Sequence, residues 1–163
     1  MMAMLEVEVD GLALDMMTNS PVVILSPKNS SKVLPIWIGH AEAWAIAMEL
    51  SGIDAKRPMT HDLLKAAITA LSASVEKVEI TELREQTFYA VVSLKSDGTV
   101  HQIDARPSDS IALALKVKAP IFAEEGLFNL GSPDQPSELK KDSESLADRL
   151  RKINPEDFGK YSL

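Results

Sequence analysis

Apolar and polar positions alternate strictly near the N-terminus, with Leu5, Val7 and Val9 set against Glu6, Glu8 and Asp10. A period of two puts one set of side chains on each face of a strand. After Gly11 the apolar set moves to Leu12 and Leu14, a one-residue slip that predicts a β-bulge. Asn19-Ser20-Pro21 interrupts the pattern, and residues 22–25 make a short second strand. The polar stretch 27–32 predicts a hairpin into a third strand, residues 33–38. Pro35 places that strand at an edge or a bulge.

The period then becomes helical. Ala43, Ile46, Ala47 and Leu50 share one face, with Gly39-His40 before them and Gly52 after. Thr60 reads as the N-cap of a second helix, residues 61–72, whose stripe of Leu63, Leu64, Ala67, Ile68 and Leu71 is expected to be buried. Three strands follow: one through Val75, Val78 and Ile80, one over 87–94, and one over 100–105 reached by an Asp97-Gly98 turn. Ser108 is placed to cap a third helix carrying Ile111, Ala112, Leu115 and Ala119. Pro120 ends it, and a last short strand covers 121–123.

Strands in two runs, each followed by helix and joined by hairpin-like links, predict an α+β fold. It has a largely antiparallel sheet, three main helices and a short C-terminal helical tail. The composition changes near Gly131. Residues 132–143 are polar with two prolines, and Leu146, Leu150 and Ile153 then mark one amphipathic helix. The expected division is a main domain, 1–131, and a linker with helical tail, 132–163.

Composition narrows the function classes. No apolar run approaches the roughly 18 residues that span a bilayer, so no membrane association is expected. The N-terminus lacks the basic start and apolar core of a signal peptide. The chain has no cysteine, which excludes disulfides, thiolate metal sites and cysteine nucleophiles and favours a cytoplasmic setting. The net charge is −7, all but one unit of it within residues 1–131. A global attraction for nucleic acid is therefore absent, and a phosphate ligand must be caught locally, by a few arginines or a metal ion.

Two segments echo each other: Asp54-Ala55-Lys56-Arg57-Pro58 before the second helix and Asp104-Ala105-Arg106-Pro107 before the third. A helix start offers free N–H groups and partial positive charge, and arginine adds a planar fork for phosphate or carboxylate. Arg57 and Arg106, with Thr60 and Ser108 at the helix starts, are thus the candidate phosphate-binding residues. The plainer reading is that each arginine pairs with a nearby aspartate and ties down a loop. His61 is a candidate general acid or base with Asp62 or another carboxylate orienting it; alternatively it is a first-turn residue beside a carboxylate that favours the helix dipole. Asp104, Asp109 and Glu42 form a candidate carboxylate set for catalysis or for Mg²⁺ or Mn²⁺. No motif of fixed metal-ligand spacing supports it, and Gly-rich phosphate loops, His-Glu-x-x-His and Gly-x-Ser-x-Gly are absent from the sequence.

Four blocks in fixed order carry a family resemblance: Leu34-Pro35-Ile36-Trp37-Ile38-Gly39 followed by Glu42-Ala43; Arg57-Pro58-Met59-Thr60-His61-Asp62-Leu63-Leu64; Thr87-Phe88-Tyr89-Ala90; and residues 104–114, beginning Asp104-Ala105-Arg106-Pro107-Ser108-Asp109. Together they resemble the bifunctional nuclease domain family, formerly a domain of unknown function, over about residues 4–130. The resemblance implies a compact α+β protein, a nuclease acting on both RNA and DNA, and association as a homodimer. On this reading the chain hydrolyses phosphodiester bonds in RNA or single-stranded DNA with little sequence selectivity. Arg57 and Arg106 hold the phosphate, His61 acts as base or acid with Asp62 beside it, and Asp104, Asp109 and Glu42 hold Mg²⁺ or Mn²⁺ or orient His61. The alternative is a non-enzymatic dimer whose pocket binds a small anion or other ligand. A third reading makes the same residues a structural network between helix starts. Trp37 and Trp44 are expected in the core or at a dimer interface.

Overall fold

A computed structural model describes residues 3–129. The chain runs β1 (Met4–Asp15), β2 (Ser20–Pro27), β3 (Leu34–Trp37), α1 (His40–Ser51), α2 (Thr60–Ala70), β4 (Ser74–Arg84), β5 (Thr87–Ser96), β6 (Thr99–Ala105), α3 (Pro107–Val117) and β7 (Ile121–Glu124). A short 3₁₀ turn, Glu125–Asn129, follows. The fold is α+β, as the alternation of strand runs and helices predicts. The proposed linker and helical tail, 132–163, lie outside the described residues.

One seven-stranded sheet has the order β3-β2-β1-β7-β4-β5-β6. Every pairing is antiparallel except β4 with β7. The β1–β2 register slips between Val9 and Gly11, where the phase change in the sequence places a bulge. Pro35 lies in β3 at the sheet edge, where a missing N–H costs no ladder bond. Asp97 and Gly98 both have positive φ, 49° and 76°, the conformation that a two-residue turn with right-handed twist requires.

α1 packs on β1 and β2, α3 packs on β4 and β5, and the two helices pack on each other. One apolar core joins them, with Val23, Leu25, Val78, Ile80, Ala90 and Val92 from the sheet and Ile46, Ile111 and Leu113 from the helices. The helices therefore share one face of the sheet.

α2 departs from expectation. None of its residues is buried. Leu63 and Leu64 are 66% and 42% exposed and Leu71 is 78% exposed; only Ile68 touches the core. An apolar face at helical spacing usually packs on the core. Here α3 already covers β4 and β5, and α2 meets it with His61 and Asp62 instead.

Both expected caps move. The N-cap of α2 is Met59, and Thr60 is the first helical residue. The orphan N–H of Met59 is met by Asp62 Oδ2 at 2.8 Å, a carboxylate reaching back from the third helical position. The N-cap of α3 is Arg106, with Pro107 first in the helix, where its missing N–H is harmless. Ser108 is therefore second in the helix and is buried.

Candidate functional site

The starts of α1, α2 and α3, with the connection between α1 and α2, enclose a cleft of about 560 Å³. Glu42 and Glu49 stand two turns apart on α1, and Asp109 and Lys116 two turns apart on α3. Glu42 pairs with Arg106 and Glu49 with Lys116, so the two helices run side by side in the same direction. Their rise of 1.5 Å per residue separates the two pairs by about 10 Å. Ala45, Met48 and Ala112 line the wall between them.

At one end a chain of contacts is continuous. Arg106 Nη2 forms an ion pair with Glu42 Oε1 at 2.9 Å. Arg106 Nε donates to Asp109 Oδ2 at 2.9 Å. Asp109 Oδ1 is 3.0 Å from His61 Nε2. One carboxylate thus holds an arginine on one oxygen and a histidine on the other. In the neutral ring, an Nε2–H that donates to Asp109 leaves Nδ1 as the acceptor. The His61 side chain is 12% exposed and that of Arg106 66% exposed. Arg106 meets both carboxylates while its side chain stays largely open to solvent.

At the other end, Lys116 bridges Glu49 of α1 and Asp62 of α2. Burial pushes the Lys116 ammonium down, and Asp62 and Glu49 more than reverse that, leaving it above the ordinary lysine value. The hydrogen bond from Lys116 is the main reason that Asp62 is held below the usual carboxylate value. Burial pushes Asp109 up, and the hydrogen bonds from Arg106 and His61 outweigh it, so its net displacement is downward. Arg106 is raised, chiefly by its hydrogen bond to Asp109, and stays charged at any working pH.

Of the residues singled out in the sequence, Glu42, Thr60, His61, Asp62, Arg106 and Asp109 line this cleft. Arg57 does not; it is exposed between Lys56 and Pro58, which do line it. The echo between the two Arg-Pro segments is out of register. Pro107 opens α3 directly, whereas Pro58 precedes the Met59 cap, and the extra Lys56 takes the cleft-facing place.

Asp104 also lies outside the cleft. Ile103 and Ala105 pair with the buried residues Val92 and Ala90 on the helix face, so Asp104, between them, projects from the opposite face. Ser108 is buried and does not line the cleft. The set Glu42, Asp104 and Asp109 therefore does not converge on a metal ion. Glu42 and Asp109 already answer Arg106, and among the described residues no three acidic or histidine side chains are grouped as ligands. The site does not fit Mg²⁺ or Mn²⁺ held by these side chains.

Three participants escaped the sequence reading. Glu49 and Lys116 were detectable as charges seven residues from Glu42 and Asp109 on otherwise apolar helices. Gly39 is the third. A Cβ there would collide with Glu42 Oε2, so glycine lets the carboxylate lie over the helix start and reach Arg106.

Comparison with known proteins agrees with the blocks read from the sequence. The family model described as the bifunctional nuclease domain matches residues 23–133. An uncharacterized protein of Mycobacterium tuberculosis strain H37Rv is 41% identical over 162 residues, covering 94% of this chain and 97% of that protein. A protein named Bifunctional nuclease 1 from Oryza sativa subsp. japonica is 26% identical over 103 residues, 61% of this chain and 31% of its own length. Its namesake from Arabidopsis thaliana is 23% identical over 105 residues, 62% of this chain and 32% of its own. The similarity thus spans about a third of each plant protein. Among the described residues no helix is long and apolar enough to cross a membrane.

Proposed function

The chain belongs to the bifunctional nuclease domain family, and from that premise we propose that the cleft hydrolyses phosphodiester bonds in RNA and single-stranded DNA. The observation that carries this reading is the shared carboxylate: Asp109 holds His61 at 3.0 Å and Arg106 at 2.9 Å. A phosphate at the cleft mouth meets the exposed guanidinium of Arg106, which stabilises the charge that develops on its oxygens. His61, fixed through Nε2, presents Nδ1 to a water molecule. The water oxygen attacks phosphorus, its proton passes to Nδ1, and the P–O bond to the leaving oxygen breaks. That oxygen leaves as an alcohol after taking a proton back. Asp109 fixes the ring and stabilises the imidazolium.

The charge of the cleft sets its character. Glu42, Glu49, Asp54, Asp62 and Asp109 face Lys56, Arg106 and Lys116. Such an acidic lining neutralises few phosphates, so binding is weak and carries little sequence selectivity. The exposed guanidinium of Arg106 equally supports a second reading, a non-enzymatic regulatory dimer whose cleft binds a small anion or other ligand. A homodimer in a cytoplasmic setting belongs to both readings. Light scattering at micromolar concentration should give twice the chain mass of 17.8 kDa, and a mass of one chain would remove the dimer.

The function is tested on single-stranded RNA and DNA, with and without added Mg²⁺ or Mn²⁺. His61→Ala should lower cleavage by about 100-fold or more, the usual scale for a lost acid or base. Arg106→Ala should raise KM and lower kcat, because the guanidinium serves ground and transition states alike. Thermal melts establish that each variant is folded. Equal cleavage by wild type and His61→Ala would overturn the assignment.

A further inference from the structure

We infer that Lys116 is a positioning residue for His61: by bridging Glu49 and Asp62 it sets where the first turn of α2 stands against α3. The inference rests on the hydrolytic reading of His61 for its kinetic consequences, and on the packing of α2 for everything else.

An ordinary helix is held in place by the apolar face it buries. α2 buries no residue, and Leu63 and Leu71, 66% and 78% exposed, point away from the domain. Of its apolar stripe, Ile68 alone reaches the core. The first turn is held by polar ties: His61 to Asp109 at 3.0 Å and Asp62 to Lys116. The first is the proposed catalytic contact itself. The second is a separate contact on the neighbouring residue, and its Lys116 also takes Glu49. One partly exposed ammonium with two carboxylates joins α1, α2 and α3 at one point. Removing the ammonium leaves the two carboxylates without their shared counter-charge.

Asp62 and His61 are adjacent in the chain, so the place of one fixes the backbone of the other. A displacement of the order of 1 Å at a catalytic group costs as much as about 100-fold in rate. Lys116 touches neither His61 nor Arg106 in the contacts above, and it acts on the reaction through the helix.

The test uses Lys116→Met, which keeps the aliphatic stem and removes the ammonium. A second variant, Asp62→Asn, removes the charge of the same bridge from the other side, keeps an acceptor oxygen for the Met59 N–H, and leaves the Lys116–Glu49 pair. Each should lower kcat by about tenfold or more with KM little changed, because Arg106 is untouched. The double variant should lose no more than the worse single one, since both act through one contact. In parallel, ¹⁵N NMR of the histidine ring should show His61 protonated on Nε2 and hydrogen-bonded in the wild type, and exchanging between states in both variants. Unchanged kcat and an unchanged His61 ring would overturn the inference. So would a raised KM at constant kcat, which would put Lys116 on the substrate. If the wild type does not cleave nucleic acid, the hydrolytic reading fails while the NMR comparison still decides the positioning role. If Lys116→Met does not fold, Asp62→Asn decides it alone.

Discussion

α2 and α3 are both 11 residues long, and each carries an aspartate at its third position, Asp62 and Asp109. They are held in opposite ways. Seven residues of α3 are buried, from Pro107 to Ala114, and the helix is part of the core. α2 buries none and meets the domain through His61, Asp62 and Ile68. The difference assigns each helix its part. α3 supplies a fixed carboxylate at Asp109 and fixes Arg106 at its cap. α2 brings His61, on a helix whose first turn meets the domain through polar contacts. Sites need rigid support for the groups that orient others; here the core helix carries Asp109 and Arg106, and the lightly held one carries His61.

The contrast breaks most visibly in stability. Ile111 is fully buried, and Ile111→Ala should cost about 3 kcal/mol, within the range for truncating a core aliphatic. Leu71→Ala on the exposed stripe should stay within about 0.5 kcal/mol. Urea denaturation of both variants measures the gap. A loss at Leu71 as large as that at Ile111 would mean that α2 is covered in solution.

A smaller effect separates the two helices by pH. Asp62 and Asp109 lie below their ordinary value of 3.8 in the folded protein. The unfolded chain therefore binds more protons near that pH, and the stabilisation is present above 3.8 and lost as pH falls through the folded values. Lys116 lies above its ordinary value of 10.5, so its contribution is whole below 10.5 and lost as pH rises through the folded value. Asp62→Asn should blunt both the acid and the alkaline loss of melting temperature, because it removes one partner of Lys116. Asp109→Asn should blunt the acid loss alone. An alkaline limb unaffected by Asp62→Asn would show that the bridge does not hold α2.

The smallest change tests how Arg106 is aimed. Gly39 has φ −78°, a value any residue adopts, so Gly39→Ala should fold normally. Its Cβ would push Glu42 Oε2 aside, and Arg106 would keep Asp109 alone. KM for a short oligonucleotide should rise several-fold with little change in melting temperature. An unchanged KM would mean that Asp109 suffices to aim Arg106.

Much of this was legible before any coordinates. Alternation fixed the strands, the Gly11 slip located the bulge, Asp97-Gly98 located the hairpin, and the family blocks contained His61, Arg106, Asp109 and Glu42. The failures have local causes. Asp104 was assigned to the site by proximity to Arg106, although the period of two between Ile103 and Ala105 turns it to the other face. Arg57 was matched to Arg106 by a shared proline, although Lys56 puts the two segments out of register. The α2 stripe looked like core because periodicity records which face is apolar, and not whether another helix already occupies the sheet. Lys116 and Glu49 passed unnoticed because a charge late in a helix reads as a solvated one until its partner on a second helix is known.

The shared carboxylate is the claim on which the rest depends, and Asp109→Asn tests it most directly. Asparagine keeps the shape, loses the charge, and can no longer accept from both His61 and Arg106 on equal oxygens. Single-turnover cleavage of single-stranded RNA by the folded variant should fall by about 100-fold or more. Cleavage within a factor of two of the wild type, with the melting temperature preserved, would contradict the account and move the chemistry away from this cleft.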